Sequence, residues 1–565
     1  MNFRFSMMAS AVLLSAAASP ALASDSFQSI VKLWSTTSTG IAGVSGNPAS
    51  FLPDYSSEIS AWDPLSRTIF SAGGRGIELL NFSGTVHSSF DTTAFGEINS
   101  IAISGGVVAV SFANGTNKGL DGTVQFFDTA KFRTLGGNSA LLGSATVGSV
   151  PDMVTWTGSG ANKRLLVANE GERQNGGTIN AAGSISIINF GSTAPATFAV
   201  GAVTTLGFTF WNGQEAVLRA AGVRIQSGIS TSTALEPEYI AVSPNGLQAM
   251  VTLQENNAVA LIDLTTNQIT GIKSLGKKDF NTAATAIDTS DRDSPIVANG
   301  TFINPRALPV VGLYMPDAIA SYSTASGQTF YVLANEGDAA VDDIDILRFG
   351  SASVTLAPSL PSKASLSGIG SVHTRLNVVT NGATGDGSAA NMTEIVTLGG
   401  RSFSIRDGAG NLVWDSGNDL ETRAIAAGLY DDLRSDDKGV EPEGVTIFTA
   451  IGRTFAAIGL ERTTRSAIAI YDVTDPTAPT FSGWAETGAG TGDRRAEGIT
   501  TFEDGGKLYL LVSNEGIASD TSPGDFTTLG TTVLYEISPV PEPGTYALML
   551  AGLLVVAAVA RRRWG

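Results

Sequence analysis

Apolar residues along the chain occur in short runs that are separated by clusters of glycine, serine, asparagine and aspartate. Residues 183–189, 258–264, 466–473 and 531–537 are such runs, and isoleucine, valine and alanine are prominent in them. Short runs of branched apolar residues between turn-forming residues are typical of β-strands. The pattern therefore predicts an all-β protein that contains many short strands.

One arrangement of strands and acidic residues recurs along the chain. The tripeptide Asn-Glu-Gly ends an apolar run at residues 169–171, 335–337 and 514–516. An acidic residue opens each of these units 18 or 19 residues before the glutamate, and two further copies close at Glu255 and Glu461, 17 and 18 residues after their opening acids. The repeated unit is an acidic residue, a strand, a turn, a second strand, a carboxylate turn and a third strand.

Seven such units can be placed along the chain, with starts near residues 58, 99, 152, 238, 317, 443 and 497. Three or four antiparallel strands per unit, repeated in this way, predict a seven-bladed β-propeller over residues 24–538. We expect the strand at 531–537 to close the ring against the first unit, because closure removes exposed sheet edges.

Irregular spacing between the units predicts insertions near 191–235, 265–315 and 349–438. Alternating apolar residues around Asp407-Gly408 predict a β-hairpin inside the last insertion. Inserted segments on one face of a propeller usually shape the mouth of its channel.

The composition agrees with this fold and reduces the number of functions that the chain could have. The 565 residues include 65 glycines, and only 15% are charged, as expected for many short strands and tight turns. The net charge of −18 argues against nucleic acid as a partner, because phosphates require a basic surface. The chain has no cysteine and only two histidines, His87 and His373, which excludes thiol catalysis and leaves little room for a zinc centre.

The N-terminus has the features of an export signal. Arg4 precedes an apolar stretch from Met7 to Ala18, and Ala21-Leu22-Ala23 follows as a cleavage sequence. This order predicts a signal peptide at residues 1–23. The mature chain is then expected to begin at Ser24.

The C-terminus combines a short motif, an apolar run and a basic cluster. The elements are Pro541-Glu542-Pro543, then residues 546–560, then Arg561, Arg562 and Arg563. The run predicts a short transmembrane helix with its basic end in the cytoplasm. Residues 539–565 resemble the PEP-CTERM sorting signal of Gram-negative bacteria. The resemblance implies an exosortase-type sorting enzyme as partner, a transient membrane anchor, and a final location at the cell surface or in the extracellular matrix.

Ordered motifs between the two signals resemble the choice-of-anchor I family. They are PDM and VANEGE (151–172), EPEYIAVSP (236–244), DTSDRD (288–293), YMPDAIASY with VLANEGD (314–338), RSDDKGVEPEGV (434–445) and GLER with YDVTDP (459–476). The resemblance covers about 55–537 and implies an exported propeller-type domain with an interchangeable C-terminal anchor. Some members carry an alkaline-phosphatase-like label, so the resemblance implies fold and location more than an activity.

The repeated carboxylates are the candidate site. The first strand of a propeller blade lines the channel, so the opening acids should form one ring and the closing acids another. Clustered carboxylates repel unless a cation or an arginine lies among them, and Ca²⁺ prefers such oxygen ligands. We therefore expect Ca²⁺ or another divalent cation at the opening residues Glu58, Asp152, Glu238, Asp317, Glu443 and Glu497 and at the closing residues Glu170, Glu255, Glu336, Glu461 and Glu515.

Two other interpretations of these residues remain open. Asn-Glu-Gly is suited to a turn, because asparagine bonds local backbone and glycine accepts positive φ, so the repeat has an architectural explanation. A phosphoesterase would instead use carboxylate-bound Ca²⁺, Mg²⁺ or Fe and grip phosphate with arginine. The first candidates for such an anion-binding role are Arg292, Arg348, Arg462 and Arg495.

Other motifs in the chain are weaker. Residues 271–278 approach a P-loop, but Lys278 stands where the Mg²⁺-binding Ser or Thr belongs, so no nucleotide is expected. The acidic loops at 288–293 and 434–438 lack the EF-hand pattern and are expected to be solvated or paired with arginine.

The sequence thus predicts an exported, surface-processed propeller. We expect it to act as a binding or matrix-associated protein at the cell envelope or exopolysaccharide matrix, with divalent cations bound by the repeated carboxylates. The alternative is a metal-dependent, alkaline-phosphatase-like phosphoesterase.

Overall fold

The computed structural model describes residues 27–38, 57–74, 76–292, 294, 296, 301–338, 346–366, 374–488, 492–518 and 526–539. The predicted signal peptide at 1–23 and the sorting signal from residue 540 onward lie outside the described residues. Within the described residues, no helix has both the length and the apolar character needed to cross a membrane.

Seven four-stranded antiparallel sheets form the blades, which we number in chain order. The first three blades are continuous in sequence apart from short connections. Blade 1 contains Ile59–Asp63, Thr68–Gly73, Gly76–Asn81 and Val86–Asp91. Blade 2 contains Ile98–Ser104, Val107–Phe112, Asp121–Asp128 and Leu141–Ser149. Blade 3 contains Pro151–Thr157, Arg164–Asn169, Ser184–Ser192 and Ala199–Gly207.

The remaining blades follow the same meander. Blade 4 contains Pro237–Val242, Gln248–Leu253, Ala258–Asp263 and Gln268–Ser274. Blade 5 contains Ile319–Ser323, Thr329–Asn335, Ser402–Asp407 and Leu412–Asp415. Blade 6 contains Pro442–Ala450, Arg453–Leu460, Ala467–Asp472 and Thr480–Glu486. Blade 7 contains Ala496–Asp504, Lys507–Asn514, Thr531–Pro539 and Phe27–Thr37.

The prediction of a seven-bladed propeller is confirmed, and the seven inner strands begin within two residues of the predicted unit starts. The predicted closure of the ring is wrong in one respect. The strand Thr531–Pro539 does not pair with blade 1 but lies inside blade 7. The N-terminal strand Phe27–Thr37 pairs with it as the outer strand, so the two ends of the chain complete one sheet.

An apolar cluster fills each of the seven interfaces between neighbouring blades. Between blades 3 and 4, for example, Leu166, Ile187, Val251 and Ala260 are all fully buried. The second and third strands of a blade are buried on both faces, which explains their continuous apolar runs. The inner strands surround a central cavity of about 300 Å³.

The connections that leave the blades are longest around blades 3 to 6. They contain the helices Glu215–Ala220, Thr231–Ala234, Lys363–Leu366 and Asp419–Ala426, and blade 2 carries Thr129–Leu135 and Gly137–Ala140. Small sheets pair Arg173–Gln174 with Ile179–Asn180, Lys277–Asp279 with Val311–Leu313 and Val396–Thr397, Ile346–Arg348 with Asn377–Val379, and Ile517–Ala518 with Phe526–Thr528.

The predicted insertions are too wide, because each includes strands of a blade. The interval 191–235 contains the outer strand Ala199–Gly207, and 265–315 contains the outer strand Gln268–Ser274. The hairpin predicted around Asp407 inside 349–438 exists, but it forms the third and fourth strands of blade 5. Because strands alternate in direction, the connections after second and fourth strands emerge at the same end as the start of the first strand.

Candidate functional site

The opening acids lie at the start of the inner strands, at one mouth of the channel. In blades 3, 4, 6 and 7 the pairing of the inner strand with its neighbour is irregular at this position, as in a β-bulge. The residue two positions before the acid has a left-handed φ in four blades, at Val150 (46°), Met315 (45°), Glu441 (48°) and Arg495 (61°). A β-bulge changes the direction in which a side chain points. The bulges and left-handed residues recur at the start of the inner strands, so they orient the opening acids at the mouth.

The closing carboxylates lie at the same mouth, because the second strand runs antiparallel to the first. The backbone N–H of the closing residue donates to the carbonyl of the left-handed residue in the same blade. The distances are 2.8 Å from Glu170 to Val150, 2.9 Å from Glu461 to Glu441 and 3.0 Å from Glu515 to Arg495. The backbone of the closing turn therefore has an architectural role.

The asparagine of Asn-Glu-Gly does not build the turn as predicted. Its side chain is buried and ties the second strand to the third strand of its own blade. Asn169 Nδ2 donates to Ser186 Oγ at 3.0 Å, and Asn335 Nδ2 donates to Ser402 Oγ at 3.2 Å. The glycine behaves as predicted, with φ of 70° at Gly171 and 99° at Gly337.

Three of the predicted ligands converge between blades 3 and 4. Carboxylate oxygens of Asp152, Glu170 and Glu238 all lie within 4.8 Å of one another, and we call these residues the open triad. Among the residues that the structure describes, no lysine or arginine forms an ion pair with any member. Three carboxylates offer six oxygens, which is the hard donor set that Ca²⁺ prefers.

The electrostatics of the open triad favour a proton or a cation. Burial raises the pKa of Asp152 to about 7, and the nearby Glu172 carboxylate adds to the rise. Burial and neighbouring acids also raise the pKa values of Glu170 and Glu238 well above their ordinary range. Three ionised carboxylates this close together repel one another, so a bound cation would relieve an unfavourable interaction.

A second group of carboxylates surrounds an internal lysine at blades 5 and 6. Oxygens of Glu336, Glu441 and Glu461 lie within 4.8 Å of one another, and we call these residues the filled triad. Lys438 Nζ lies 2.7 Å from Glu336 Oε1 and 3.1 Å from Glu441 Oε2. It also lies 3.0 Å from Asp338 Oδ1.

Arginines complete the neutralisation of the filled triad. Arg462 lies 2.8 Å from Glu461, and Arg434 lies 2.7 Å from Glu441. Burial alone would raise the pKa of Glu441, but Lys438 and the two arginines lower it to about 2. The same attraction overcomes desolvation and raises the pKa of Lys438 well above its usual value. This triad therefore already contains its cations.

Sequence reasoning missed Lys438 and Glu441 as members of the site. The signal was present, since Glu441-Pro442-Glu443 repeats Glu236-Pro237-Glu238. Only the second glutamate of each pair was assigned to a ring.

The other predicted acids lie at the same mouth but outside both triads. Asp317, Glu443 and Glu497 are half-buried, and each has a raised pKa because of burial and then of neighbouring carboxylates. Glu58 is among the acids that act on Glu497, and Glu515 pairs with Arg495 at 2.9 Å.

Glu255 is 7% exposed, and its Oε2 has no hydrogen-bond partner among the residues that the structure describes. Burial and then Glu236 raise its pKa. Both predicted rings thus share one mouth, but only five of the eleven predicted ligands lie in a triad, and Glu255 lies outside both triads.

The four arginines predicted as anion ligands are all paired with carboxylates. Arg462 and Arg495 bind the closing acids of blades 6 and 7. Arg348 lies 2.5 Å from Asp436, and Arg292 lies 3.5 Å from Asp291. The acidic loops around Asp291 and Asp436 are thus paired with arginine, as expected. Residues 271–278 overlap the strands Gln268–Ser274 and Lys277–Asp279.

Residues 58–476 match the Choice-of-anchor I domain, and residues 539–563 match the PEP-CTERM protein-sorting motif. No curated protein matches the chain.

Similar solved structures include the β-propeller domain of Myceliophteria thermophila Cps50 (Swd1), at 10% identity over 86% of this chain and 96% of that one, with a TM-score of 0.39. Kuenenia stuttgartiensis hydrazine synthase is 13% identical over 84% of this chain and 96% of that one, with a TM-score of 0.41. The Neurospora crassa Pan2 WD40 domain is 10% identical over 92% of this chain and 98% of that one, with a TM-score of 0.40.

The sorting motif implies export, recognition by an exosortase-type enzyme and surface sorting in Gram-negative bacteria. The family match runs from the start of blade 1 into blade 6 and covers most of the chain. The chain therefore belongs to the choice-of-anchor I family.

Proposed function

We propose that this exported surface propeller is a binding protein whose channel mouth holds one divalent cation in the open triad. The observation that carries the proposal is the convergence of Asp152, Glu170 and Glu238 without an ion-paired lysine or arginine among the described residues. Lys118, which acts on Glu170 from further away, is paired with Glu97. Calcium is the expected ion, because the donors are carboxylate oxygens and calcium tolerates irregular geometry. A cation that the protein binds on one side has coordination positions left for oxygen atoms of a ligand. This ligand belongs to the cell envelope or the exopolysaccharide matrix.

The architectural interpretation of the repeat does not compete with cation binding. Backbone atoms of Glu170 fix the turn through the bond to Val150, and this leaves its carboxylate available to the triad. The filled triad supports the proposal through its difference from the open triad. Its carboxylates are neutralised by Lys438 and two arginines.

Titration calorimetry on the purified full chain tests the proposal. After treatment with chelator and its removal, Ca²⁺, Mg²⁺ and Mn²⁺ are added separately to the wild type and to Asp152→Asn. We expect one Ca²⁺ per chain in the wild type and at least a tenfold weaker affinity in the variant. Glu503→Gln is the matched control, since this acid is exposed on the opposite end of an inner strand.

A wild type that binds no divalent cation would refute the proposal. So would a D152N variant that binds Ca²⁺ as tightly as the E503Q control.

A metal-dependent phosphoesterase is the second candidate, and one observation favours it. Arg434, Arg462 and Arg495 lie at the same mouth as the carboxylates, which is the combination that phosphate chemistry requires. Each guanidinium already pairs with a glutamate, so phosphate would have to compete for it. Hydrolysis of p-nitrophenyl phosphate with Ca²⁺, Mg²⁺, Mn²⁺ or Fe²⁺, abolished by chelator, would support this activity, and no turnover with any of them would exclude it for this substrate.

A further inference from the structure

The strand register of blade 7 places both ends of the propeller chain at the same corner of the molecule. Phe27 lies opposite Pro539 in this register. The other end of the same strand, Thr531, lies opposite Asn514, which directly precedes the closing residue Glu515. Thr531 is therefore at the mouth, and Pro539 is at the opposite end of the propeller. We call this opposite end, which carries the connections after the first and third strands of each blade, the far end.

The sorting motif begins where the third strand of blade 7 ends. The motif covers residues 539–563, and Pro539 is the last residue of the strand. Pro541 follows two residues later, and the predicted membrane run 546–560 begins seven residues after Pro539. The sorting signal therefore leaves the propeller at the far end, on the side away from the open triad.

The short connection limits how the propeller can be placed on a membrane. Seven residues span at most about 25 Å when they are fully extended. The strand Thr531–Pro539 has nine residues, and a rise of about 3.3 Å per residue separates its two ends by about 26 Å. With the mouth against the bilayer, the connection would have to span this height, the loops at the mouth and the lipid headgroups. Its length does not allow this orientation.

The predicted signal peptide is attached at the same corner. Only three residues separate the predicted cleavage position after Ala23 from the strand Phe27–Thr37. Because Phe27 lies opposite Pro539, both segments that are predicted to enter the membrane join the propeller side by side. A chain that still carries either segment is thus attached to the membrane through its far end.

The charges favour the same orientation. The carboxylates of the open triad lie at the mouth without an ion-paired lysine or arginine among the described residues. Acids at the far end are instead paired, as in Arg67 with Asp504 at 2.7 Å and Lys507 with Glu536 at 2.9 Å. Anionic lipid headgroups repel an acidic surface, so they repel the mouth more than the far end.

We propose that the far end faces the membrane as long as the sorting signal is uncut, and that the mouth with the open triad points away from the bilayer. The exosortase-type enzyme then meets the protein at the far end, and the mouth is accessible to a ligand while the protein is still anchored. The inference rests on the sorting motif and the strand register. It goes beyond the proposed function and does not require a bound cation.

Distances from labelled residues to the bilayer test the orientation. The chain has no cysteine, so one introduced cysteine can carry a fluorescent donor. Ser83→Cys and Ser159→Cys place the donor at the far end of blades 1 and 3. Ala94→Cys and Thr178→Cys place it at the mouth of the same two blades, and all four positions are exposed. The full chain with its sorting signal is reconstituted in neutral phosphatidylcholine vesicles that contain an acceptor-labelled lipid, and energy transfer is measured.

We expect the far-end label to be about 25 Å closer to the bilayer than the mouth label of the same blade. Two blades are compared because a molecule that lies on its side would not show the difference in both. Distances that are equal, or shorter for the mouth label, in either blade would overturn the proposal.

A longer connection tests whether the tether sets the orientation. With about 20 Gly and Ser residues inserted after Val540, the flexible linker reaches beyond the height of the propeller, so the two distances should approach each other. An unchanged difference would overturn the short connection as the cause. Asp152→Asn should give the same distances as a chain with Asp152, so this measurement and the calcium titration can fail independently.

Discussion

Replacing Lys438 by methionine tests whether the buried ammonium stabilises the filled triad. The residue is 7% exposed, and its Nζ contacts three carboxylates at 2.7, 3.0 and 3.1 Å. Methionine keeps a similar volume without the charge. Two of the acids that it would leave behind are deeply buried, since Glu441 is 0% and Glu336 is 7% exposed.

The structure sets the expected size of the loss. Removing one partner of a buried ion pair costs about 3–5 kcal/mol. The remaining partners bring the estimate to the lower end of this range. Glu441 retains Arg434 at 2.7 Å, and Glu336 still accepts a hydrogen bond from Gln254 Nε2 at 2.8 Å. We therefore expect K438M to lower the free energy of unfolding by about 3 kcal/mol at pH 7.5.

Urea unfolding followed by tryptophan fluorescence, with choline chloride as the only salt, measures this loss. Lys507→Met is the matched control, because the Lys507 side chain is 57% exposed and forms one ion pair, with Glu536 at 2.9 Å. An exposed pair of this kind contributes about 0–1 kcal/mol. If K438M loses no more stability than K507M, the ammonium does not stabilise the filled triad.

Three further predictions concern the repeated turn and the open triad. Asn335→Ala removes a buried side chain that bonds the third strand of blade 5, so the free energy of unfolding should fall by about 1–3 kcal/mol in urea titrations. Gly337→Ala places a Cβ 2.1 Å from a backbone nitrogen at a φ of 99°, whereas Gly327→Ala, at a φ of 81°, places a Cβ with nothing within 4 Å. G337A should therefore lose clearly more stability than the roughly 1 kcal/mol expected for G327A. Equal melting temperatures of the two variants would contradict the close contact. The folded-state pKa of Asp152 (about 7) lies above its ordinary value of 3.8, so its contribution to stability is fully present below about pH 4 and is lost as the pH rises through 7. With chelator the melting temperature should therefore fall between pH 5 and 8, with the largest Ca²⁺ rescue at pH 8, and a flat profile would refute this.

The fold was largely predictable because each blade carries its own local signal. The opening acid, the two apolar runs and the closing turn recur within about 20 residues, so the start of each inner strand could be placed from sequence. The outer strands were missed because their exposed edge removes the continuous apolar run. In Gln268–Ser274, for example, no residue is fully buried. For the same reason, the intervals predicted as insertions included outer strands.

Closure of the ring was not predictable from local patterns. The strand Phe27–Thr37 pairs with Thr531–Pro539 across nearly the whole length of the chain, and nothing near either segment marks the other as its partner. The candidate site shows the same limit. The glutamates were identified by their repetition, but the position of the Lys438 ammonium among them depends on how blades 5 and 6 meet.

The structure separates two roles that the sequence could not distinguish for the repeated glutamates. Backbone groups of the closing residues bind the left-handed residue of their blade, and the preceding asparagine binds the third strand. The repetition of Asn-Glu-Gly therefore has an architectural cause that does not involve the carboxylate. The carboxylates are then free to differ in their partners from blade to blade: lysine and arginines at blades 5 and 6, Arg495 at blade 7, and no ion-paired lysine or arginine for the open triad in the described part of the chain. A purely architectural glutamate would have no reason to change its charge partners from blade to blade, and this variation is why we assign cation binding to the one triad without an ion-paired lysine or arginine among the described residues.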